Sequence, residues 1–261
     1  MERRQLWEEC VLANLNQLVT DQTSDSYQAI FFDLDHTLID TRQQYHLGLA
    51  KAIETTYGRT APLDFAERFM RSNDKLWPLY DRRELSMLEL RRQRFVQTWQ
   101  EYGVVRSTAE ADAFQEVYAG TFDDTLFCFP GTLEMLAELQ SDYRLGIITN
   151  GSPDLQDRKM AITGLDKFFP AETVIVSEAI GMAKPHPSVY AAALARLDVS
   201  AKESLMVGDN YNNDVLGARR CGLAAVWYAP DPLTTAHVES PSLGECPLRK
   251  PSELVTFTLR H

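Results

Sequence analysis

Ala29-Ile30-Phe31-Phe32-Asp33-Leu34-Asp35-His36-Thr37 is the stretch on which the fold of this chain turns. Its apolar run reads as a buried strand. Two carboxylates follow at i and i+2. In an extended segment they project to one side, with Leu34 opposite. A strand that ends in paired acids carries them to the carboxyl edge of a sheet, where open α/β sheets bind ligands. There one Asp can attack as a nucleophile while the other moves a proton. By itself an Asp-x-Asp also fits a turn or a surface acidic pair, so its weight comes from the sequence around it.

Downstream of Pro130-Gly131 the chain alternates between strand and helix patterns. Strands are expected at Tyr143 to Ile148, Thr173 to Val176, Ser204 to Val207 and Ala224 to Tyr228. Helices are expected at Ser152 to Ile162, Pro187 to Leu197 and Asn212 to Cys221. That rhythm predicts an α/β fold, a Rossmann-like parallel sheet with helices on both faces, joined by the strand at Ala29. Residues 43–122 differ in character: they show only helical patterns and read as an inserted all-helical domain. Within it, Leu85, Leu88, Phe95, Trp99 and Tyr102 lie near one helical face, with Arg91, Arg92 and Arg94 largely elsewhere. Residues 1–26 read as an added helix, with Trp7, Val11, Leu15 and Leu18 near one face, followed by a polar connector. The expected organisation is an N-terminal extension at 1–26, a core at 27–42 and 123–261, and a helical cap at 43–122. Residues 230–250 read as loop.

Composition narrows the function. The chain has 261 residues, 44% of them hydrophobic, which is enough for a sizeable core. A formal charge of -11 argues against a nucleic-acid partner. Cys10, Cys128, Cys221 and Cys246 form no C-x-x-C pair and no zinc pattern, so reduced thiols and a cytoplasmic location are expected. No apolar run approaches membrane length, and Glu8 and Glu9 fall where a signal peptide needs its apolar stretch.

Three more polar clusters follow predicted strands or precede a helix. They are Thr149-Asn150-Gly151, then Lys184 within Gly181-Met182-Ala183-Lys184-Pro185-His186-Pro187, then Gly208-Asp209 through Asp214. In a parallel sheet the strand ends share one edge, so the clusters can converge on Asp33. Asp33, Asp35, Asp209 and Asp214 supply the hard oxygen ligands that Mg²⁺ requires. Thr149 adds a hydroxyl, Asn150 and Gly151 add backbone N–H groups, and Lys184 adds a positive charge. A divalent metal, a hydroxyl and an ammonium around a nucleophilic carboxylate describe a phosphoryl-transfer site. Asn212 and Asn213 also fit as caps of the following helix. His36 and His186 read as structural.

On these four motifs in order the chain resembles the haloacid dehalogenase-like (HAD) superfamily of phosphohydrolases, over residues 27 to about 229. The helical insertion is similar to the cap of its subclass I. Asn73-Asp74-Lys75-Leu76-Trp77, Leu88 to Trp99, Gly146 to Gly151 and Val176-Ser177-Glu178 resemble the bacterial pyrimidine 5′-nucleotidases and their relatives, the N-acylneuraminate-9-phosphatases. The resemblance implies that Asp33 is the nucleophile and Asp35 the general acid and base. It implies that Asp33, the Asp35 carbonyl and Asp209 hold Mg²⁺, with Asp214 nearby or bridging through water, and that Thr149, Asn150 and Lys184 hold the phosphoryl oxygens. It also implies that the cap, through Lys75 and Trp77, selects the substrate. The expected partner is a small phosphate ester, with no nucleic-acid polymer and no membrane, in a monomer or homodimer.

Rival functions remain distinguishable. A dehalogenase of this superfamily lacks the second acid, so Asp35 argues for phosphate chemistry. A phosphomutase would keep all four motifs, and a sugar-phosphate phosphatase differs from a nucleotidase only in the cap. A non-catalytic phospho-ligand binder would have lost one of the acids. An interaction role for the amino-terminal helix is compatible with catalysis.

Overall fold

The central strand, β1 (Ala29–Phe32), has all four residues buried. A strand covered on both faces reads as an unbroken apolar run rather than an alternation, which is why this one is legible at only four residues. A computed structural model describes residues 27–231 and 247–258 of the chain. The proposed amino-terminal helix and its connector lie outside the described residues.

Four further strands are β2 (Arg144–Thr149), β3 (Val174–Val176), β4 (Ser204–Gly208) and β5 (Ala224–Trp227). All pairings are parallel and the order is β3-β2-β1-β4-β5. The chain starts in the middle, builds outward to one edge, then returns to build the other half. The order therefore reverses at β1. Ligands in open α/β sheets bind at such a reversal, beyond the carboxyl ends of the strands. Register aligns those ends: Phe32 pairs with both Ile147 and Val207. Asp33, Thr149 and Asp209 thus leave the sheet within a residue or two of one line.

The chain divides into two compact units. The first holds the sheet and residues 27–40, 128–153, 163–231 and 247–258 of the described chain. Its helices include α6 (Thr132–Leu139), α8 (Ser177–Ile180), α9 (Pro187–Leu197), α10 (Gly217–Arg220) and α11 (Pro251–Thr258). Residues 247–250 are partly ordered: Leu248 bridges to Tyr228.

The second unit, Thr41–Phe127 with Asp154–Ile162, contains no strand among its described residues. It is built from α1 (Thr41–Tyr57), α2 (Phe65–Asp81), α3 (Met87–Gln100), α4 (Thr108–Gly120) and α5 (Phe122–Thr125), joined by most of α7 (Pro153–Thr163). Ion pairs Arg91–Asp154 at 2.6 Å and Arg158–Asp123 at 3.0 Å lie within this unit. Serine side chains start two of its helices. Ser86 and Ser107 form reciprocal capping boxes with Glu89 and Glu110. The interior is aromatic: Phe65–Trp99 ring centroids are 5.1 Å apart and Phe95–Phe114 5.2 Å.

Helix α3 differs from the sequence expectation by about one residue of phase. Its buried face runs through Met87, Leu90, Arg94 and Thr98, with Phe95 and Trp99 beside it. Leu88, expected inside, is 51% exposed, and Arg94, expected outside, is 5% exposed. The Arg94 guanidinium donates to Asn73 Oδ1 at 2.8 Å and Gln115 Oε1 at 2.6 Å, and lies over the Phe69 ring at 4.9 Å. An arginine whose donors meet buried amide oxygens and whose face meets a ring can occupy an interior position.

Candidate active site

The site begins where β1 ends. Asp33 N–H donates to the Val207 carbonyl at 2.8 Å, so its backbone continues the sheet. The chain then turns sharply. His36 adopts a left-handed φ of 65°, and its N–H donates to the Ile39 carbonyl at 2.9 Å. That conformation is unusual for a residue with a Cβ. The turn returns Thr37 toward the acids. The Thr37 hydroxyl lies 3.2 Å from Asp33 Oδ2 and 3.4 Å from Asp209 Oδ1, and accepts the Asp209 N–H at 3.0 Å. One buried hydroxyl thus ties the β1 end to the β4 end. Asp35, two residues beyond Asp33, is partly exposed.

Lys184 completes the centre. It is 3% exposed, and its three N–H bonds are all used: Asp33 Oδ1 at 2.7 Å, Asp214 Oδ1 at 2.7 Å and the Ile148 carbonyl at 2.6 Å. Its backbone is held by Asn150. The Asn150 Nδ2 donates to the Lys184 carbonyl at 3.1 Å, and Asn150 Oδ1 accepts the Lys184 N–H at 2.8 Å. Thr149 Oγ1 accepts the Gly151 N–H at 3.0 Å, which closes the turn after β2.

Asp214 comes from an unusual element. Residues Tyr211–Leu216 form a π-helical turn that runs into α10, where a plain α-helix is expected. Such turns cluster at functional sites. Asn210 caps it, its Oδ1 accepting the Asn213 N–H at 3.0 Å, so the capping residue is neither Asn212 nor Asn213. The turn presses the Asp214 carboxylate onto Gly208, where an added Cβ would lie 2.4 Å from it. His186 has a local role too: its ring accepts the Ser188 N–H and caps α9.

Carboxylate oxygens of Asp33, Asp209 and Asp214 lie within 4.8 Å of one another, and all three residues are largely or fully removed from solvent. Burial raises the Asp209 carboxyl well above the usual range, and the charges of Asp33 and Asp214 push it further. Burial likewise raises Asp214 to about 6, against the pull of Lys184. For Lys184 the balance is reversed: burial disfavours its charge, but Asp214 and Asp33 hold its proton more tightly than usual. Three buried acids facing one buried ammonium leave two negative charges without a counterion when all are ionised. All three acids offer hard oxygens. A divalent cation of the Mg²⁺ type matches both the charge deficit and the donor set.

The sequence-predicted residues Asp33, Thr149, Asn150, Lys184, Asp209 and Asp214 therefore belong to one constellation in the first unit, with Asp35 two residues from its centre. Thr37 was visible in the sequence but had no assigned role. Its hydroxyl follows Asp35 by two residues, which is the only signal it gives. Lys75 and Trp77 belong to the second unit. Lys75 is exposed, with no ion pair among the described residues. Most of its basic neighbours are paired: Arg68 with Asp64, Arg71 with Glu67, Arg82 with Glu84 and Arg92 with Asp112. Trp77 packs edge-on against Tyr80 at 5.3 Å, beside a buried cluster of Leu76, Leu85, Met87 and Leu90.

Comparison with known proteins places the chain in a family. A family profile described as haloacid dehalogenase-like hydrolase matches residues 27–222. Glyceraldehyde 3-phosphate phosphatase of Pyrococcus abyssi is 32% identical over 212 residues, covering 77% of this chain and 81% of that protein. Pyrimidine 5′-nucleotidase YjjG of Escherichia coli is 30% identical over 213 residues, covering 81% of this chain and 88% of that protein. Among solved structures, the putative HAD-hydrolase YfnB of Bacillus subtilis, bound to magnesium, superimposes with a TM-score of 0.74 at 25% identity, covering 90% of this chain and all of that one. The chain belongs to the haloacid dehalogenase-like hydrolase family.

Proposed function

From this family membership and the geometry of the first unit, we propose a Mg²⁺-dependent phosphomonoester hydrolase that works through an aspartyl-phosphate on Asp33. Its preferred substrate is a pyrimidine nucleoside 5′-monophosphate, and its location is cytoplasmic. The observation that carries the chemistry is the buried grouping of Asp33, Asp209, Asp214 and Lys184 at the sheet reversal.

The steps follow from the side chains. A carboxylate oxygen of Asp33 attacks phosphorus as the bond from phosphorus to the ester oxygen breaks. Asp35 gives its proton to the departing alkoxide, so the product leaves as an alcohol. The Asp35 carboxylate then takes a proton from water, which attacks the same phosphorus. Asp33 is released as a carboxylate and inorganic phosphate departs. The Thr149 hydroxyl proton and the Asn150 backbone suit the phosphoryl oxygens, while the Gly151 N–H holds Thr149 Oγ1 in place. Lys184 holds Asp33 in place and offsets its repulsion from a phosphate dianion. Mg²⁺, held by Asp33, the Asp35 carbonyl, Asp209 and Asp214, would add Lewis-acid neutralisation of the phosphoryl charge.

Support for the pyrimidine comes from the nucleotidase relatives and from the second unit. Gln156 there is 2% exposed, and neither carboxamide atom has a hydrogen-bond partner among the described residues. A donor beside an acceptor matches the N3–H and carbonyl of uracil or thymine. Lys75 supplies an unpaired charge and Trp77 a ring face. The similarity to glyceraldehyde 3-phosphate phosphatases favours a second reading, a phosphatase for small sugar phosphates or N-acylneuraminate 9-phosphate.

Steady-state rates with Mg²⁺ on UMP, dTMP, AMP, glyceraldehyde 3-phosphate and N-acylneuraminate 9-phosphate separate the two. The highest kcat/KM is expected for UMP or dTMP. The lowest values for these two would overturn the nucleotidase assignment.

A further inference from the structure

Trp227 is the last residue of β5 and pairs in register with Gly208. Its indole N–H donates to the backbone carbonyl of Asp209 at 2.8 Å. On the other side of the same residue, the Asp209 N–H donates to Thr37 Oγ1 at 3.0 Å. Tyr228, the residue that follows β5, donates its N–H to the Gly208 carbonyl at 2.9 Å. Both peptide groups that flank the Asp209 Cα are thus gripped from outside their own loop.

That grip has a physical purpose. The Asp209 carboxylate is buried beside two others, and repulsion favours rotating it away. A loop fixed only by the sheet ladder ends at Gly208 and would leave the next peptide free to turn. With its N–H on Thr37 and its carbonyl on the indole, Asp209 keeps its side chain on the side of Asp33 and Asp214. A buried tryptophan N–H needs some acceptor. Here the acceptor belongs to an acid of the cluster itself, and the ring is wedged in place by Tyr211, with centroids 5.1 Å apart. Partners one step removed from a metal orient its ligands and set its affinity.

We propose that Trp227 is a positioning residue for the divalent-cation site, acting through the Asp209 peptide. The inference rests on the assignment of Asp33, Asp209 and Asp214 to Mg²⁺. Two variants separate the hydrogen bond from packing. Trp227→Phe removes the N–H but keeps a ring against Tyr211. Tyr211→Leu removes the ring contact but keeps the N–H. Calorimetric titration of metal-free protein with MgCl₂ should give a dissociation constant about 10- to 100-fold weaker for Trp227→Phe, and within about threefold of the unaltered protein for Tyr211→Leu, by the same argument that only the hydrogen bond matters. Melting in EDTA, which reads the fold without the cation, should be lowered in both variants, by the lost hydrogen bond in one and the lost ring contact in the other. A Trp227→Phe affinity equal to that of the unaltered protein, or equal weakening in both variants, overturns the proposal. Should Trp227→Phe not fold, the indole ¹H–¹⁵N signal of Trp227, assigned through its contact with Tyr211, must move on addition of MgCl₂; a fixed signal overturns it. If the unaltered protein itself takes up no Mg²⁺, the metal assignment fails and this inference fails with it. Normal uptake that is insensitive to Trp227 removes only the inference.

Discussion

Gly208 shows how narrowly single residues set the site. An added Cβ there would lie 2.4 Å from the Asp214 carboxylate, so only glycine lets that acid lie against the strand end. Gly208→Ala is therefore expected to displace Asp214 and weaken Mg²⁺ binding by at least about tenfold, in a protein with unchanged far-ultraviolet circular dichroism. Tight Mg²⁺ binding by this variant would show that Asp214 is not needed for the cation. Asp35 carries a different prediction. General acid–base help is commonly worth about 10²- to 10⁴-fold, so Asp35→Asn should lose that much turnover on nucleotides. With p-nitrophenyl phosphate the leaving group needs no proton, and only the second step requires the base. A stoichiometric burst of p-nitrophenol followed by slow release is expected, and a slow linear trace without a burst would place Asp35 elsewhere in the mechanism. Residues of this kind are legible in sequence because the Asp-x-Asp after an apolar run is followed, in order, by polar clusters at Thr149, Lys184 and Asp209. Thr37 was not, because a hydroxyl in a turn has many uses.

At the scale of elements, strands and their polar ends were legible to within a residue or so. β1 and α9 match the expected limits, and the others shift by one or two positions. Two features were not. The π-helical turn at Tyr211–Leu216 has no distinct apolar period, since its extra residue is imposed by the fit of Asp214 against Gly208. The phase of α3 is not legible because Arg94 reads as a surface residue by type, whereas its burial depends on Asn73 and Gln115 from other helices. Helix α7 is similar: its pattern says nothing of whether it belongs with the strands that flank it in sequence or, as the ion pairs of Asp154 and Arg158 show, with the helical unit. Gln156 on that helix offers a test. Gln156→Leu keeps the volume and removes a buried amide with no partner, which lifts a penalty of about 1 to 3 kcal/mol. The variant should melt at higher temperature yet lose kcat/KM on UMP relative to p-nitrophenyl phosphate. Lys75→Ala should shift the same ratio without the gain in stability. Unchanged ratios in both variants would remove them from substrate selection.

Over the whole molecule, the buried acids link stability, pH and metal. Asp214 is raised to about 6 from an ordinary value of 3.8. A carboxyl that holds its proton more tightly when folded stabilises the metal-free protein below 3.8, and that contribution is lost as pH rises through about 6. Mg²⁺ binding runs the other way, since the cation must displace the proton. At Mg²⁺ near 100 times its dissociation constant the gain is about 2.7 kcal/mol. The rise in Tm on adding a fixed Mg²⁺ concentration should therefore be larger at pH 7 than at pH 5, and equal rises would contradict a cation held by these carboxylates. The family was implied by four short motifs in order and the parallel sheet by the alternation of strand and helix patterns, whereas the strand order and its reversal at β1 were not. The substrate was not, because fold and catalytic centre are shared across many activities, and the residues proposed to discriminate belong to a helical unit whose pattern reports only its own packing.

In the proposed reaction Asp33 becomes phosphorylated. The most direct measurement is borohydride trapping during turnover of UMP with Mg²⁺, followed by peptide mass spectrometry. An acyl phosphate at Asp33 is reduced to homoserine, so the account predicts homoserine at position 33, absent when substrate is omitted. Homoserine at another aspartate, or none in an enzyme that is turning over, would contradict it.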